Sequence, residues 1–372
     1  MRTPSRVLMT ADSLGGVWSY ALEVIEGLQQ RRIEVVLATM GAPLSAAQRD
    51  QLAGFPQVIC CESAYRLEWM DDPWEEVDQA GEWLLSLARK FQPEVIHLNG
   101  FTHGALPWNA PVLIVAHSCV LSWWKAVKGT PPPERYAEYQ ERVAGGLNAA
   151  SLVVAPTAAM LMALHKHYAL KAPACVISNG RNAAPFQPGE KEHVIFSAGR
   201  LWDEAKNIAL LEAIAPRLSW PVRVAGERCS PGQESPRQHF TNVQSLGALP
   251  AGALAAELAR ASIYAAPARY EPFGLTVLEA AMAGCALVLS DVPSLRETWK
   301  GAAIFLSPDE PEAWRRTLDA LIRDAQRRST LGALARLRAQ AFSADAMVQR
   351  YLVAYAGLRG RGAPQTEEAA AA

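Results

Sequence analysis

The sequence predicts an α/β protein made of two domains, each built on a mostly parallel sheet. Three observations support this fold class. The chain has 372 residues, enough for two domains at roughly 150 residues each. Short β-branched apolar runs alternate with longer amphipathic stretches, which is the pattern of repeated βαβ units. A segment rich in Gly, Pro and Asn at residues 179–189 interrupts the alternation, which then starts again.

The first part of the chain, residues 1–180, is predicted to form one Rossmann-like domain. Its strand candidates are Arg6–Thr10, Glu34–Thr39, Val95–Leu98, Val112–Ala116 and Leu152–Ala155. Its helix candidates are Gly16–Gln30, Trp74–Phe91, Pro133–Asn148 and Thr157–His167. In such a domain we expect ligands at the carboxyl ends of the strands, where they face a cleft.

Residues 181–343 are predicted to form a second Rossmann-like domain. The strand candidates are His193–Ala198, Val222–Ala225, Ser262–Ala265 and Ala286–Ser290. The helix candidates are Ile208–Leu218, Ala251–Arg260, Leu275–Ala283, Ser294–Thr298 and Glu310–Arg328. A last helical pattern at 344–358 carries apolar residues at helical spacing, so it must pack on another element. Residues 359–372 are predicted to be a disordered tail.

The amino-acid composition narrows the range of possible protein classes and partners. Apolar residues make up 50% and charged residues 20% of the chain, which excludes a disordered or coiled-coil protein. The net charge of −1 lacks the basic excess of a nucleic-acid binder, so we expect a small-molecule partner. Neither a signal peptide nor a spanning helix is predicted, which favours a cytoplasmic protein. The six cysteines show no metal-binding spacing, and reduced, mostly buried thiols are expected.

The segment ARYEPFGLTVLE, residues 268–279, is the sharpest candidate site. Pro272 keeps Glu271 in a turn, and Gly274 opens the next helix. The free amides at that helix start belong to Gly274, Leu275 and Thr276. Such a terminus favours an anion, for example a diphosphate. Glu271 before it and Glu279 within the helix can bind hydroxyl groups on either side, as a nucleotide sugar would require. The alternative is that both acids only cap or solvate the helix.

A second segment, SAGRLWDEAKN, places Arg200 and Lys206 in a loop between a strand and a helix. Two cations there would neutralise the negative charge of a bound diphosphate. A pair of solvated surface cations is the alternative. No acidic cluster in the sequence indicates a divalent-metal site. We therefore expect these cations and the helix terminus to stabilise the diphosphate without a metal ion.

Candidates also follow two strands of the first part. Gly15 and Gly16 let a ligand approach the backbone, although the third glycine of a dinucleotide motif is missing. Asp12 either contacts an acceptor hydroxyl or forms an Asx turn. His117 follows Val112–Ala116, where a structural role and a ligand contact both remain open.

The stretch EPFGLTVLEAAMAG, residues 271–284, resembles the Glu-x7-Glu signature of retaining glycosyltransferases of family 4. These enzymes have the two-domain GT-B fold, in which the last helix crosses back to the N-terminal domain. The resemblance implies that Glu271 contacts the donor sugar and that Glu279 binds the ribose hydroxyls. It places His117 beside the donor sugar, and the Gly-Gly loop near phosphate and acceptor.

Two departures from the family pattern stand out. Many relatives separate the Arg and Lys by five residues, whereas Arg200 and Lys206 are six apart. The segment ISNGRN resembles the family hinge, but Arg181 and Asn182 replace the usual Val-Asp. We carry over the hinge role and no specific contact.

The resulting hypothesis is a cytoplasmic, metal-independent glycosyltransferase of glycan or glycoconjugate synthesis. It would move a sugar from a nucleotide-diphosphate donor to a hydroxyl acceptor with retention, without a cofactor. The catalytic candidates are Glu271, His117, Arg200 and Lys206. The donor-binding candidates are Gly15, Gly16, Arg200, Lys206, Glu271, Phe273, Gly274, Leu275, Thr276 and Glu279. A glycoside phosphorylase on the same fold and a non-catalytic nucleotide-sugar-binding protein are the alternatives.

Tryptophans indicate where an acceptor would bind. Seven of the eleven lie within the first 124 residues, and Trp123 and Trp124 follow His117 closely. Aromatic faces stack on sugar rings, so the acceptor-side candidates are Asp12, Trp123 and Trp124. With Lys128, the pair would also suit peripheral contact with an anionic membrane surface. Ordinary packing is the alternative.

Overall fold

The computed structural model describes residues 3–230, 233 and 239–360. It contains two sheets, one of seven and one of six strands, in which every strand pair is parallel. Alternate residues of each central strand enter opposite faces: Leu8 packs in one apolar core and Val7 and Met9 in another. Each sheet therefore lies between two helical layers, and the predicted pair of Rossmann-like sheets is confirmed.

The first sheet has the order β3-β2-β1-β4-β5-β6-β7. The strands are β1 (Arg6–Asp12), β2 (Glu34–Met40), β3 (Val58–Glu62), β4 (Val95–Leu98), β5 (Val112–Val115), β6 (Leu152–Ala155) and β7 (Ala174–Val176). The sequence did not predict β3 and β7. Both are edge strands and only partly buried, and their short apolar runs, VICC and ACV, contain cysteine where central strands have branched aliphatic residues.

Six helices accompany this sheet. They are α1 (Gly16–Gln29), α2 (Ala46–Ala53), α3 (Trp74–Phe91), α4 (Val120–Lys128), α5 (Ala137–Ala149) and α6 (Ala158–Tyr168). The sequence predicted neither α2 nor α4. The short helix α4 ends at Gly129, whose left-handed φ of 70° is the conformation that favours glycine at a helix C-terminus.

The second sheet has the order β10-β9-β8-β11-β12-β13. Its strands are β8 (Glu192–Ala198), β9 (Val222–Ala225), β10 (Gln244–Ser245), β11 (Ala261–Ala266), β12 (Ala286–Ser290) and β13 (Ile304–Leu306). Its helices are α7 (Ile208–Ile214), α8 (Ala251–Arg260), α9 (Leu275–Met282), α10 (Pro293–Trp299), α11 (Pro311–Arg323) and α12 (Ala325–Ala339). The single helix predicted at 310–328 is wrong, because Asp324 ends α11 and caps α12 by accepting from the Arg327 amide.

The last helix, α13 (Ala344–Gly360), packs on α1 of the first half of the chain, residues 1–180. Val348 fills the space above Gly27, where an added Cβ would lie 2.4 Å from a Val348 methyl carbon. Tyr351 and Tyr355 are buried in the same core. The predicted return of the C-terminal helix is confirmed. Arg359 and Gly360 belong to this helix, and the rest of the predicted tail lies outside the described residues.

Two further expectations concern cysteines and membrane spans. All six cysteines lie in described residues and none forms a disulfide, but only Cys119 and Cys285 are buried. The prediction of mostly buried thiols is therefore wrong, since Cys60, Cys61 and Cys175 lie on the edge strands β3 and β7. Within the described part of the chain, no helix has both the length and the apolar character that crossing a membrane requires.

Candidate functional site

The two halves of the chain meet at the starts of α1 and α9. A Cβ on Gly16, at the start of α1, would lie 3.5 Å from Cδ1 of Leu275, the first residue of α9. Gly15 precedes it with a left-handed φ of 75° and is exposed. The predicted Gly-Gly loop thus faces the predicted anion-binding helix terminus across the cleft.

The N-terminus of α9 begins at Gly274, whose φ of 88° lies in the left-handed region. Among the described residues, no side-chain hydrogen bond caps this helix, so its first amides remain available to a ligand. The Thr276 hydroxyl accepts a hydrogen bond from Tyr264 at 2.9 Å. The Phe273 side chain is buried against Phe342, so it supports the turn from the core rather than presenting a ring to the cleft.

Glu271 and Lys206 are in direct contact. The Lys206 Nζ lies 2.6 Å from Oε2 of Glu271, and both side chains are largely buried. The six-residue separation from Arg200 does not displace the lysine, because the chain folds a short 3-10 turn over Glu204–Lys206. Asp203 caps that turn by accepting from the Ala205 amide. The structure therefore brings the two charged segments of the second half together.

Arg200 lies at the open side of this group, with 44% of its side chain exposed. Its guanidinium donates to Oδ2 of Asp203 at 2.9 Å and lies 5.3 Å from the centre of the Trp202 ring. Arg200 and Lys206 are thus each paired with a carboxylate, Asp203 and Glu271, and Lys206 lies beside the turn that precedes α9.

Glu279 is buried on α9 and forms an ion pair with Arg181. Its Oε1 lies 2.8 Å from Arg181 Nη2, and Arg181 also donates to Glu23 of α1 at 2.8 Å. Burial raises the pKa of Glu279, and the Arg181 charge opposes that rise. Within the described residues, no hydrogen-bond partner reaches Glu279 Oε2. A buried carboxylate oxygen without a partner suits a hydroxyl donor from a ligand.

His117 follows β5 and is held from two sides. The Asn99 amide nitrogen donates to the Thr10 carbonyl, which leaves its oxygen to accept from His117 Nε2 at 2.8 Å. The Tyr20 ring contacts the imidazole edge-on at 4.5 Å between centres. Burial lowers the pKa of His117 to about 3, so the ring is neutral and its Nδ1 can accept a hydrogen bond.

Asp12 ends β1 in the same cleft. Burial, and next the charge of Glu68, raise the pKa of Asp12 to about 7, whereas a hydrogen bond with Trp69 and the charge of Arg200 oppose the rise. The opposing charge of Arg200 comes from the second half of the chain, so that guanidinium lies within electrostatic range of the end of β1. Asp12 can therefore change its protonation state near neutral pH.

The two predicted acceptor-side tryptophans have different surroundings. Trp124 donates to the Thr130 hydroxyl at 3.3 Å and packs beside Tyr136, both within the first half. Trp123 instead reaches the second half, where its Nε1 donates to Oδ1 of Asp203 at 2.9 Å. Lys128 is engaged as well, since its Nζ lies 2.6 Å from Glu204. The helix that carries these residues is therefore docked on the loop between Arg200 and Lys206.

Several contributors were missed by sequence reasoning. Asn99 and Arg181 orient His117 and Glu279, and Asp203 orients Arg200. Asp203 lies inside a segment already singled out, and its position before a short turn is a local capping signal. The partners of Asn99 and Arg181 are distant in sequence, so the departure noted at Arg181 gave no indication of the residues that it contacts. Among the described residues, no cluster of three or more His, Cys, Asp or Glu side chains could hold a metal ion.

Two family models match the chain, the Glycosyltransferase Family 4 model at residues 14–184 and the Glycosyl transferases group 1 model at residues 180–338. The chain belongs to this family of GT-B glycosyltransferases, and it is a glycosyltransferase that uses a nucleotide-sugar donor. No curated protein sequence matches it.

Solved structures agree on the fold. A sucrose-phosphate synthase from Thermosynechococcus elongatus superposes with a TM-score of 0.79 at 18% identity, over 96% of this chain and 100% of that one. Anabaena HepE in complex with UDP-glucose superposes with a TM-score of 0.74 at 16% identity, over 95% of this chain and 100% of that one. WaaG, a glycosyltransferase involved in lipopolysaccharide biosynthesis, superposes with a TM-score of 0.70 at 12% identity, over 95% of this chain and 100% of that one. The GT-B fold predicted from the sequence is thereby confirmed.

Proposed function

We propose that the protein transfers a sugar from a UDP-sugar to a hydroxyl acceptor, with retention of configuration and without a metal ion. The observation that carries this proposal is the Lys206–Glu271 pair beside the uncapped N-terminus of α9, with Arg200 at its open side. Anabaena HepE, whose fold is similar, is described in complex with UDP-glucose, which supports uridine as the donor base.

The donor diphosphate is proposed to bind the first amides of α9 together with Arg200 and Lys206. These groups offset the negative charge that grows on the leaving diphosphate as the glycosidic bond breaks, the role that a divalent cation would otherwise have. Glu271, held by Lys206, would accept hydrogen bonds from donor-sugar hydroxyls. The partnerless Oε2 of Glu279 would accept from a ribose hydroxyl.

The first half is proposed to bind the acceptor. Gly16 borders the cleft opposite Leu275, so the acceptor would enter along the Gly-Gly loop. His117, neutral and with Nδ1 available, would accept a hydrogen bond from the donor sugar. When ionised, Asp12 would accept a hydrogen bond from a hydroxyl group of the acceptor. This assignment keeps residues 1–180 with helix 344–358 as the acceptor domain and 181–343 as the donor domain. The proposed setting is cytoplasmic glycan or glycoconjugate synthesis.

Thermal-shift measurement against UDP-, GDP-, ADP- and TDP-sugars tests the donor assignment. A ligand at 100 times its dissociation constant stabilises a protein by about 2.7 kcal/mol, so the correct base should give the largest shift. Glu279→Gln should weaken UDP-sugar binding while leaving the fold intact. A larger shift with another nucleotide sugar than with any UDP-sugar would overturn the choice of base.

Turnover assays test the reaction itself. Glu271→Gln should abolish transfer and leave the unfolding midpoint close to wild type, because the residue lies in a turn. Activity should survive EDTA, and NMR of the product should show the anomeric configuration of the donor. Breakdown of a disaccharide that needs phosphate and no nucleotide would instead identify a phosphorylase, and donor binding without transfer or hydrolysis would identify a binding protein.

A further inference from the structure

We propose that Trp123 and Asp203 are positioning residues that hold Arg200 in its working orientation only while α4 is docked on the second half of the chain. The inference rests on the proposed function, since it assigns Arg200 to the donor diphosphate. It adds that the acceptor half of the molecule completes the donor site by a specific hydrogen bond.

Asp203 is the centre of the arrangement. Its side chain is only 3% exposed, and both carboxylate oxygens are engaged. Oδ2 accepts from Arg200 at 2.9 Å, and Oδ1 accepts from the Ala205 amide and from Trp123 Nε1, each at 2.9 Å. These three donors fix the plane of the carboxylate. Arg200 donates to this fixed carboxylate through a single charge-assisted hydrogen bond from Nη2 to Oδ2, so the position of Asp203 restrains the guanidinium.

The Arg200 side chain needs this support. It is the most exposed of the proposed donor-binding cations, with 44% of its side chain accessible compared with 20% for Lys206. Besides Asp203, its described neighbour is the Trp202 ring, a weaker contact that limits rotation less than a charged hydrogen bond. An arginine with this freedom loses side-chain entropy when it is fixed on the charge that develops on the diphosphate in the transition state, unless Asp203 has already ordered it.

The contact extends along the length of α4. Trp123 near its start bonds Asp203, and Lys128 at its end pairs with Glu204 at 2.6 Å. Both acidic partners lie between Arg200 and Lys206, in and just before the 3-10 turn. The loop that carries the two proposed donor-binding cations is therefore also the surface on which α4 docks.

The first experiment compares Trp123→Phe with wild type. The variant keeps the ring and loses the indole donor, so we expect kcat with a UDP-sugar to fall at least tenfold. The dissociation constant of the donor should change less than twofold, because the contacts of α9 and Lys206 remain. Trp108→Phe is the matched control: it removes an indole bond of 2.8 Å to the His103 carbonyl, within the first half. Its kcat should stay within twofold of wild type.

A double-mutant cycle tests the route of the effect. If Trp123 acts through Asp203, then Trp123→Phe should lower kcat little further in an Asp203→Asn background. The ion pair between Lys128 and Glu204 gives a second test. Lys128→Glu alone should reduce kcat, and the double variant Lys128→Glu, Glu204→Lys should restore it. Additive effects in the cycle, or equal losses in Trp123→Phe and Trp108→Phe, would overturn the inference. Absence of transfer by the wild-type protein with every nucleotide sugar would instead refute the proposed function.

Discussion

Loss of the Arg181 side chain should lower the free energy of unfolding, because this side chain neutralises two buried carboxylates. Its guanidinium lies between Glu23 of α1 and Glu279 of α9, 2.8 Å from each, and the three side chains are 13%, 8% and 5% exposed. Arg181→Met would leave two buried carboxylates without their cation. Glu23 keeps a hydrogen bond from the Asn182 amide, whereas no other described group reaches Glu279. Most of the penalty should therefore fall on Glu279.

The expected magnitude follows from that geometry. Removing one partner of a buried ion pair costs about 3–5 kcal/mol, because a buried charge remains uncompensated. For a chain of 372 residues, with an unfolding entropy of about 2.1 cal/mol/K per residue, 1 kcal/mol corresponds to about 1.3 °C in the midpoint of thermal unfolding, so a decrease of about 4–6 °C is expected. Adding Glu279→Gln should recover part of the loss, since the amide carries no charge.

The dependence on pH gives a sharper test. Burial already raises the pKa values of Glu23 and Glu279 above their ordinary value of 4.5, and Arg181 opposes the rise. Without Arg181 both pKa values should rise further. The folded variant then binds protons more tightly than the unfolded chain, so its stability is retained below about pH 4.5 and is lost as pH rises through the raised values.

Urea unfolding at pH 5 and pH 8 measures this difference. We expect the deficit of Arg181→Met relative to wild type to be larger at pH 8 than at pH 5. A deficit below about 1 kcal/mol at pH 8, or one that does not change with pH, would refute the reasoning, because neither result is compatible with two uncompensated buried carboxylates.

Three further predictions concern packing and catalysis. Gly146→Ala should lower the free energy of unfolding by about 1–3 kcal/mol, because its Cβ would lie 1.9 Å from the Phe101 carbonyl oxygen. Gly145→Ala, with open space at the same helix, should stabilise by about 0.5–1 kcal/mol, and urea unfolding of both checks the pair. Arg200→Ala should cost about 3 kcal/mol of transition-state stabilisation, which a change in kcat below twofold would contradict. Because the pKa of Asp12 is about 7, wild-type kcat/KM for the acceptor should rise with pH through that value as the carboxylate ionises. Asp12→Asn should flatten this profile, and an unchanged profile would exclude Asp12 as the ionising group.

The central elements of both sheets could be predicted because their signals are local. A buried parallel strand needs a short run of apolar residues on both faces, which the sequence displays directly, as at Val112–Val115. The edge strands β3 and β7 are only partly buried, and their apolar runs, VICC and ACV, contain cysteine in place of branched aliphatic residues, which makes a weaker strand signal. The division of residues 311–339 into two helices depends on one cap, Asp324, within an otherwise continuous helical pattern.

The candidate site was predictable to the same extent. The turn before α9 and the glycine that opens it follow from Pro272 and Gly274, so Glu271 and the helix terminus could be placed from neighbouring residues alone. The sequence left the position of Lys206 in question, because its spacing to Arg200 is longer than usual. The 3-10 turn answers that question, since it returns the ammonium group to within 2.6 Å of Glu271.

By itself, the sequence determined the α/β class and the two parallel sheets, and it predicted a ligand site at the start of α9, because each leaves a pattern in residues close in the chain. Only the tertiary structure decided which partner each charged or aromatic side chain meets. Trp123 meets Asp203, Arg181 joins Glu23 to Glu279, and the partners in each case are dozens of residues apart or more. Hydrogen bonds are short-ranged and directional, so such pairs form only after packing has brought the two halves together.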